Sequence, residues 1–187
     1  PNTQVEVKAL MSLSGHPFAD YLLACFYYAK KSYDKAVVLW KRVVEQRPDC
    51  KEVHRNLAIF YANKQKDVAT ALKFMETAWQ LDNNDARVLY ELDDLRKIAL
   101  VDPKTRLRLL EPHQKVIVQR DDLVTEFITL LNICNEHDRA LIILKERHFT
   151  PWEGGEGQVT GQYINALIRK ACSLIKKGKY VLAKEAL

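Results

Sequence analysis

The stretch FADYLLACFYYAKKSYDKAVVLWKRVVEQRP, residues 18–48, decides the fold class of this chain. Its small, aromatic and proline positions fall at intervals that suit two antiparallel helices: Leu23-Ala24, Tyr27, Ala36, Trp40 and Pro48. Small side chains at Ala24 and Ala36 let the two backbones approach closely, and the aromatic rings fill the space beside the crossing. Pro48 ends the second helix because it has no backbone N–H to donate.

The pattern then returns along the chain. Leu57-Ala58 and Tyr61 lie 34 residues after the first pair, and Ala71 follows one residue late, which indicates an insertion in the turn 63–67. Self-similarity at a fixed period is the signature of stacked repeats. We predict one array of repeats, expected to begin and end inside a repeat of a longer array. The predicted repeats are about 17–50, 51–85, 86–120, 121–147 and 158–187, with a non-helical insert at about 148–157.

Some helix ends can be placed from single residues. Asn83-Asn84-Asp85 replaces the closing proline with residues that end one helix and cap the next. In the third repeat, Asp102-Pro103 is expected to open a short second helix over 105–110, and Pro112 is expected to stop it.

These intervals resemble the tetratricopeptide repeat, and the resemblance implies an all-α solenoid of antiparallel helix pairs wound as a right-handed superhelix. More specific runs resemble the helical region of large bacterial tetratricopeptide proteins that carry a domain of unknown function. The matching runs are His16-Pro17, 54–58 (HRNLA), 89–93 (LYELD), 119–123 (QRDDL) and above all 151–157 (PWEGGEG). This resemblance implies a larger protein with β-rich, mutarotase-like domains and a carbohydrate-related activity, but it carries no catalytic residue onto this segment.

Composition and charge limit the function classes. Charged residues make up 28% and apolar residues 48%, the balance of a soluble globular protein with no membrane span. The net charge of +5 is already reached within residues 158–187, which hold six cations and one anion. A nucleic-acid-binding protein usually spreads its basic residues along a face, so we predict no nucleic-acid partner.

The cysteine and histidine patterns predict no metal site and no cofactor. The four cysteines form no CxxC motif, and the five histidines are scattered. We therefore expect a reducing compartment, the cytoplasm, and we expect Cys25 and Cys172 to be buried thiols. The motifs of phosphate-binding loops, hydrolase nucleophile turns and dinucleotide folds are absent from the sequence, so we predict no catalytic residue and no enzymatic activity.

The first helix of each repeat is expected to line a concave binding face. Its outward residues include aromatic and cationic side chains, which often anchor protein interfaces. The predicted binding residues are Tyr21, Tyr28, Arg55, Asn56, Asn63, Arg87, Tyr90 and Lys97. The cations Arg55, Arg87 and Lys97 could hold an acidic peptide, and the alternative is that all of these residues are ordinary solvated side chains.

The insert leaves three hypotheses open. Phe149 and Trp152 could fold back and fill a gap between helix pairs. Alternatively, Trp152, Glu153 and Glu156 could face a partner or a sugar-like ligand. Thirdly, Glu153 and Glu156 could act as an acid/base pair of the glycosidase kind.

The sequence therefore favours a non-catalytic scaffold that binds a protein, a peptide or other domains of the same polypeptide. The alternative is an accessory helical part of a carbohydrate-active enzyme, in which the loop 152–157 contributes to a glycan site built mainly elsewhere.

Overall fold

A computed structural model describes Pro1 and residues 3–187. These residues form helices joined by turns and contain no strand, which confirms the predicted all-α class. The helices are α1 Gln4–Ser12, α2 Pro17–Ala29, α3 Tyr33–Gln46, α4 Lys51–Phe60, α5 Val68–Leu81, α6 Ala86–Ile98, α7 Pro103–Leu110, α8 Gln114–Ile117, α9 Asp121–Ile133, α10 His137–Glu146, α11 Gln158–Lys176 and α12 Tyr180–Glu185. None of the helices in this described part combines the length and apolarity that crossing a bilayer requires.

The chain divides into two compact units, which we call unit 1 (Pro1–Leu95) and unit 2 (Arg96–Leu187). In unit 1, α2 packs against α3 and α4 packs against α5. The alanines at the two helix crossings, Ala24, Ala36, Ala58 and Ala71, are completely buried. Trp40 lies in the core around the first crossing, since the small residues leave room for a large ring beside them.

The one-residue insertion in the second repeat is absorbed within the helix end. After Phe60, α4 continues as a π-helical turn over Tyr61–Gln65, whose wider hydrogen-bond spacing accommodates one extra residue. The predicted turn 63–67 overlaps this π-helical turn at residues 63–65 and begins two residues after its start. Asp67 then caps α5 by accepting a hydrogen bond from the backbone N–H of Thr70 at 3.0 Å.

A residue in the left-handed conformation stands between the two helices of each pair. These residues are Lys31, Lys66, Leu100, Asn135 and Gly178, with φ between 58° and 71°. The first four follow one another at intervals of 34 or 35 residues, and Gly178 follows Asn135 after 43, because the insert precedes its helix pair. Only one of the five is a glycine, so the usual sequence mark of this conformation is missing.

Unit 2 is built around α9, which contacts α7, α10 and α11. Its buried residues include Leu123, Phe127 and Ile128. The short helix expected before Pro112 is present here. α7 ends at Leu110, as expected of a short helix stopped by Pro112, and a 3₁₀ turn over Glu111–His113 then leads into α8. Proline is tolerated in that turn because the first residues of a helical turn need no N–H partner.

The expectation that Cys25 and Cys172 are buried thiols needs correction. Cys172 is exposed, since its neighbour Ala171 takes the buried position on α11. Cys25 is half-buried. The predicted division of the chain into five repeats stays a prediction.

Candidate functional site

The first helices of unit 1, α2 and α4 with α6 up to Leu95, share one face. The Asn56 Nδ2 group on α4 lies 3.8 Å from the Cys25 Sγ atom on α2, to which it donates. On the other side of α4, Arg55 Nε donates a hydrogen bond of 2.6 Å to Glu91 Oε2 on α6. These two cross-helix contacts define the surface that we call the first-helix face.

The cations of the first-helix face already have partners within the chain. Arg55 contacts both carboxylate oxygens of Glu91, and Arg87 Nε donates to Glu91 Oε1 at 3.2 Å. Glu91 is only 22% exposed, so its pairing with two guanidinium groups is partly shielded from water. An acidic peptide would have to compete with Glu91 for both arginines.

The predicted cation Lys97 lies outside unit 1. Within unit 2 it donates to both oxygens of Glu126, at 3.1 and 3.2 Å. Arg106 Nη2 reaches the same carboxylate at 2.7 Å. Lys97 therefore also has a carboxylate partner of its own chain.

The aromatic residues of the first-helix face differ in how much they can offer a ligand. Tyr21 is half-buried, and burial, with a further contribution from Cys25, raises its pKa to about 12. Burial also raises the pKa of the Cys25 thiol. Tyr28 packs between Trp40 and Tyr33, with ring centroids 5.3 and 5.1 Å away, so much of its ring contacts other aromatic side chains of unit 1 and is not open to a ligand.

The remaining predicted residues are placed as follows. Tyr90 is half-buried on α6, next to Glu91 in sequence. Asn56 is half-buried on α4, where its amide contacts Cys25. Asn63 is exposed in the π-helical turn at the end of α4.

The insert in unit 2 is anchored to the start of α9 through one carboxylate. Asp121 Oδ2 accepts hydrogen bonds from the Thr150 backbone N–H at 2.8 Å and from its hydroxyl at 2.7 Å. Asp121 Oδ1 accepts from Arg147 Nε at 2.7 Å. Burial acts to raise the pKa of Asp121, but these hydrogen bonds and the charge of Arg147 outweigh it, so the pKa lies below the ordinary value.

The aromatic residues of the insert are half-buried. The guanidinium of Arg147 lies 5.6 Å from the centre of the Phe149 ring. The Gly155 backbone lies against the indole of Trp152: a Cβ atom at this position would come within 2.5 Å of Cδ2. Glu153 and Glu156 are both exposed.

Trp152 also separates two adjoining clefts within unit 2. One, of about 290 Å³, is lined by Trp152, Phe149 and Gly155. The other, of about 370 Å³, is lined by Trp152 together with Arg120 and Asp122, which pair with each other. The runs 119–123 and 151–157, which the sequence singled out separately, therefore meet at one place.

Sequence analysis missed the residues that make these arrangements. Glu91, Glu126 and Asp121 receive the cations, and apart from Arg87, which is four residues before Glu91 on the same helix, the partners are 20 to 36 positions away. Two sequence signals were available: the i,i+4 spacing of Arg87 and Glu91, and the repeat period, which places residues about 34 apart on neighbouring helices. Among the described residues, no cluster of three or more His, Cys, Asp and Glu side chains could hold a metal ion.

No family model matches the chain. Solved structures do resemble it, and one of them is described as a TPR (tetratricopeptide repeat) protein with an unusual peptide-binding site. This protein, YrrB, is 16% identical, with a TM-score of 0.67 over 98% of this chain and 89% of YrrB. MamA is 15% identical, with a TM-score of 0.60 over 91% of this chain and 87% of that chain.

PilW, described as a widely conserved type IV pilus biogenesis factor, is 15% identical, with a TM-score of 0.50 over 96% of this chain and 78% of that chain. Identities of this size are informative about fold alone. Together with the buried alanines at the helix crossings and the strand-free architecture, they show that the chain has the all-α, helical-repeat fold of tetratricopeptide proteins.

Proposed function

We propose that this chain is a non-catalytic interaction module whose first-helix face binds a peptide or another domain. The observation that carries the proposal is the shared face of α2, α4 and α6, tied together by the Asn56–Cys25 and Arg55–Glu91 contacts. This face holds half-buried Tyr21 and Tyr90, whose rings combine apolar area with a polar group. YrrB, which has a similar fold, is described as having a peptide-binding site, and this supports the proposal by analogy.

The ligand favoured on this face is more apolar than the sequence suggested. Because Arg55 and Arg87 share the single carboxylate of Glu91, one of the two positive charges there is cancelled and both guanidinium groups already have an acceptor. The aromatic and amide groups remain as the anchoring elements. We infer a peptide that offers apolar side chains to Tyr21 and Tyr90 and backbone groups to Asn56.

A peptide-display selection on the full chain tests this proposal. Binding of the selected peptides should weaken at least about tenfold, or 1.4 kcal/mol, in the variant Tyr21→Ala/Tyr90→Ala. The matched control is Tyr180→Ala, which removes an exposed tyrosine of unit 2. Equal loss in the control and in the double variant, or no selected peptide at all, would contradict the proposal.

A second candidate function is accessory to carbohydrate chemistry in a larger protein with mutarotase-like domains. It rests on the sequence resemblance and on the cleft that Trp152 forms with Arg120 and Asp122. A glycan-binding screen with the native chain and Trp152→Ala tests it. Loss of folding without any glycan binding in the native chain would leave Trp152 with a packing role only.

The cellular compartment is a proposal as well. The four cysteines are all free thiols, which supports the reducing environment of the cytoplasm. Detection of the native protein in a cytoplasmic fraction, with its thiols accessible to alkylation, is the corresponding measurement.

A further inference from the structure

Two apolar clefts flank adjacent aromatic residues on α2. The first, of about 470 Å³, lies between α1 and α2 and is lined by Met11 and Phe26. The second, of about 350 Å³, lies between α2 and α3 and is lined by Tyr27 and Val38. The ring centroids of Phe26 and Tyr27 are 5.7 Å apart, so the clefts adjoin. We call this surface the outer clefts.

The outer clefts lie on a different side of α2 from the first-helix face. At 100° per residue, Phe26 and Tyr27 point more than 90° away from Tyr21 on the helix circumference. Apolar side chains remain open to solvent here: Val38 is 58% exposed and Met11 47%. A partner on this surface could therefore bind independently of one on the first-helix face.

The rim of the outer clefts carries free positive charge. Lys8, Lys30 and Lys35 line the clefts against a single aspartate, Asp34. Lys30 Nζ lies 5.9 Å from the centre of the Phe26 ring, and Lys35 Nζ lies 5.4 Å from that of Tyr27. None of the three lysines forms an ion pair within the part of the chain that the structure describes, Pro1 and residues 3–187.

This contrasts with the arginines of unit 1. Arg42 pairs with Asp20 and Arg47 with Asp49, while Arg55 and Arg87 share Glu91. Around the outer clefts, an acidic partner that approaches unit 1 therefore finds lysines without an ion pair to any described residue. On the first-helix face it finds arginines that already share a carboxylate.

We propose that the outer clefts bind an acidic amphipathic helix of a partner protein. Side chains one helical turn apart on one face of such a helix would enter the two clefts, and carboxylates beside them would reach the three lysines. Apolar clefts favour this partner over a polyphosphate chain, which has anionic groups for the lysines but no apolar side chains to fill the clefts. The surface is separate from the one in the proposed function and does not depend on it.

The test selects peptides from a random helical display library on the full chain and measures their affinities for matched variants. Lys30→Glu/Lys35→Glu should weaken the acidic amphipathic peptides at least about tenfold. Lys66→Glu/Lys73→Glu is the control, because it makes the same charge change at exposed lysines of unit 1 that line neither cleft. Val38→Asp, at an exposed position, should also weaken the peptides.

Each other outcome overturns the inference. Equal weakening by both charge-reversal variants would indicate general attraction only. Peptides that are lost in Tyr21→Ala/Tyr90→Ala but not in Lys30→Glu/Lys35→Glu would support the first-helix face and refute the outer clefts. A selection that yields no acidic peptides would refute the outer clefts as well. They would also be refuted if Lys30→Glu/Lys35→Glu lost binding to phosphatidylserine vesicles or to a single-stranded oligonucleotide but still bound the selected peptides unchanged.

Discussion

Replacing Gly155 with alanine should destabilise the insert, because the new methyl group would meet the indole of Trp152. An added Cβ would lie 2.5 Å from Cδ2 and 2.7 Å from Cζ2, whereas carbon atoms in contact are about 3.5–4.0 Å apart. The ring would have to move by about 1 Å or swing out of its half-buried place. Overpacking of this kind costs about 1–3 kcal/mol. The backbone of Gly155 is not in the left-handed region, so the ring contact is the expected cause.

Gly161 provides the matched control. It lies in the first turns of α11, and an added Cβ would have no neighbour within 4 Å. Alanine is favoured over glycine in a helix by about 1 kcal/mol, so Gly161→Ala should stabilise the chain. The two variants should therefore differ in free energy of unfolding by about 2 kcal/mol or more.

Urea unfolding followed by helical circular dichroism measures both variants, and tryptophan fluorescence reports on the environment of the indole. Equal free energies of unfolding for Gly155→Ala and the native chain, with unchanged fluorescence, would refute the inference that Trp152 packs on the Gly155 backbone. That outcome would favour the hypothesis of an indole available to a ligand.

Three further changes have defined outcomes. Leu100 is 89% exposed with φ of 58°, so Leu100→Gly should raise the free energy of unfolding by about 0.5–1 kcal/mol in thermal denaturation, while Leu100→Ala, which keeps the Cβ atom, should not. Asp121→Asn should lower it by about 1–3 kcal/mol, because the amide keeps only one acceptor oxygen, so either Arg147 or Thr150 loses its acceptor and faces an NH2 group. Since the pKa of Asp121 is lowered by folding, its contribution to stability is present above the ordinary aspartate pKa of about 4 and is lost as the pH falls through the lower folded value. The free energies of unfolding of the native chain and Asp121→Asn should therefore converge in acid. A difference that stays constant with pH would contradict this account. The pKa of Tyr21 is raised to about 12, so its contribution to stability is present below pH of about 10 and is lost as the pH rises to about 12. In an alkaline absorbance titration, Tyr21→Phe should remove a phenolate step near pH of about 12. Removal of a step near the ordinary tyrosine pKa of about 10 would contradict the effect of burial.

The fold could be predicted from the sequence at positions where only one residue type meets the physical requirement. Ala24 and Ala36 were expected at a helix crossing because nothing larger fits, and both are completely buried. The position of the insertion near residue 63 followed from counting, but its form as a π-helical turn did not, since a loop could absorb an extra residue equally well.

The chemistry of the candidate faces could not be predicted in the same way. Arg55 has the same local signature whether it is free or paired, and only the packing of α4 beside α6 brings Glu91 to it. Arg87 is different, because Glu91 lies four residues later on the same helix. The anchoring of the insert by Asp121 depends on tertiary contacts with Thr150, 29 positions away. The left-handed turns at Lys31 and Lys66 could not be predicted from the sequence either, because lysine is rarely found in that conformation.

The lysines around the outer clefts allow the surface charge of unit 1 to change separately from the stability of its fold. Lys30 and Lys35 form no ion pair with any residue that the structure describes, so acetylation or substitution by glutamine would change the electrostatic potential of that surface at little cost to folding. Neutralising Arg55 instead would leave Glu91 with a single, more exposed partner. Affinity for an anionic partner can therefore be tuned at α2 and α3 while the helical framework keeps its stability.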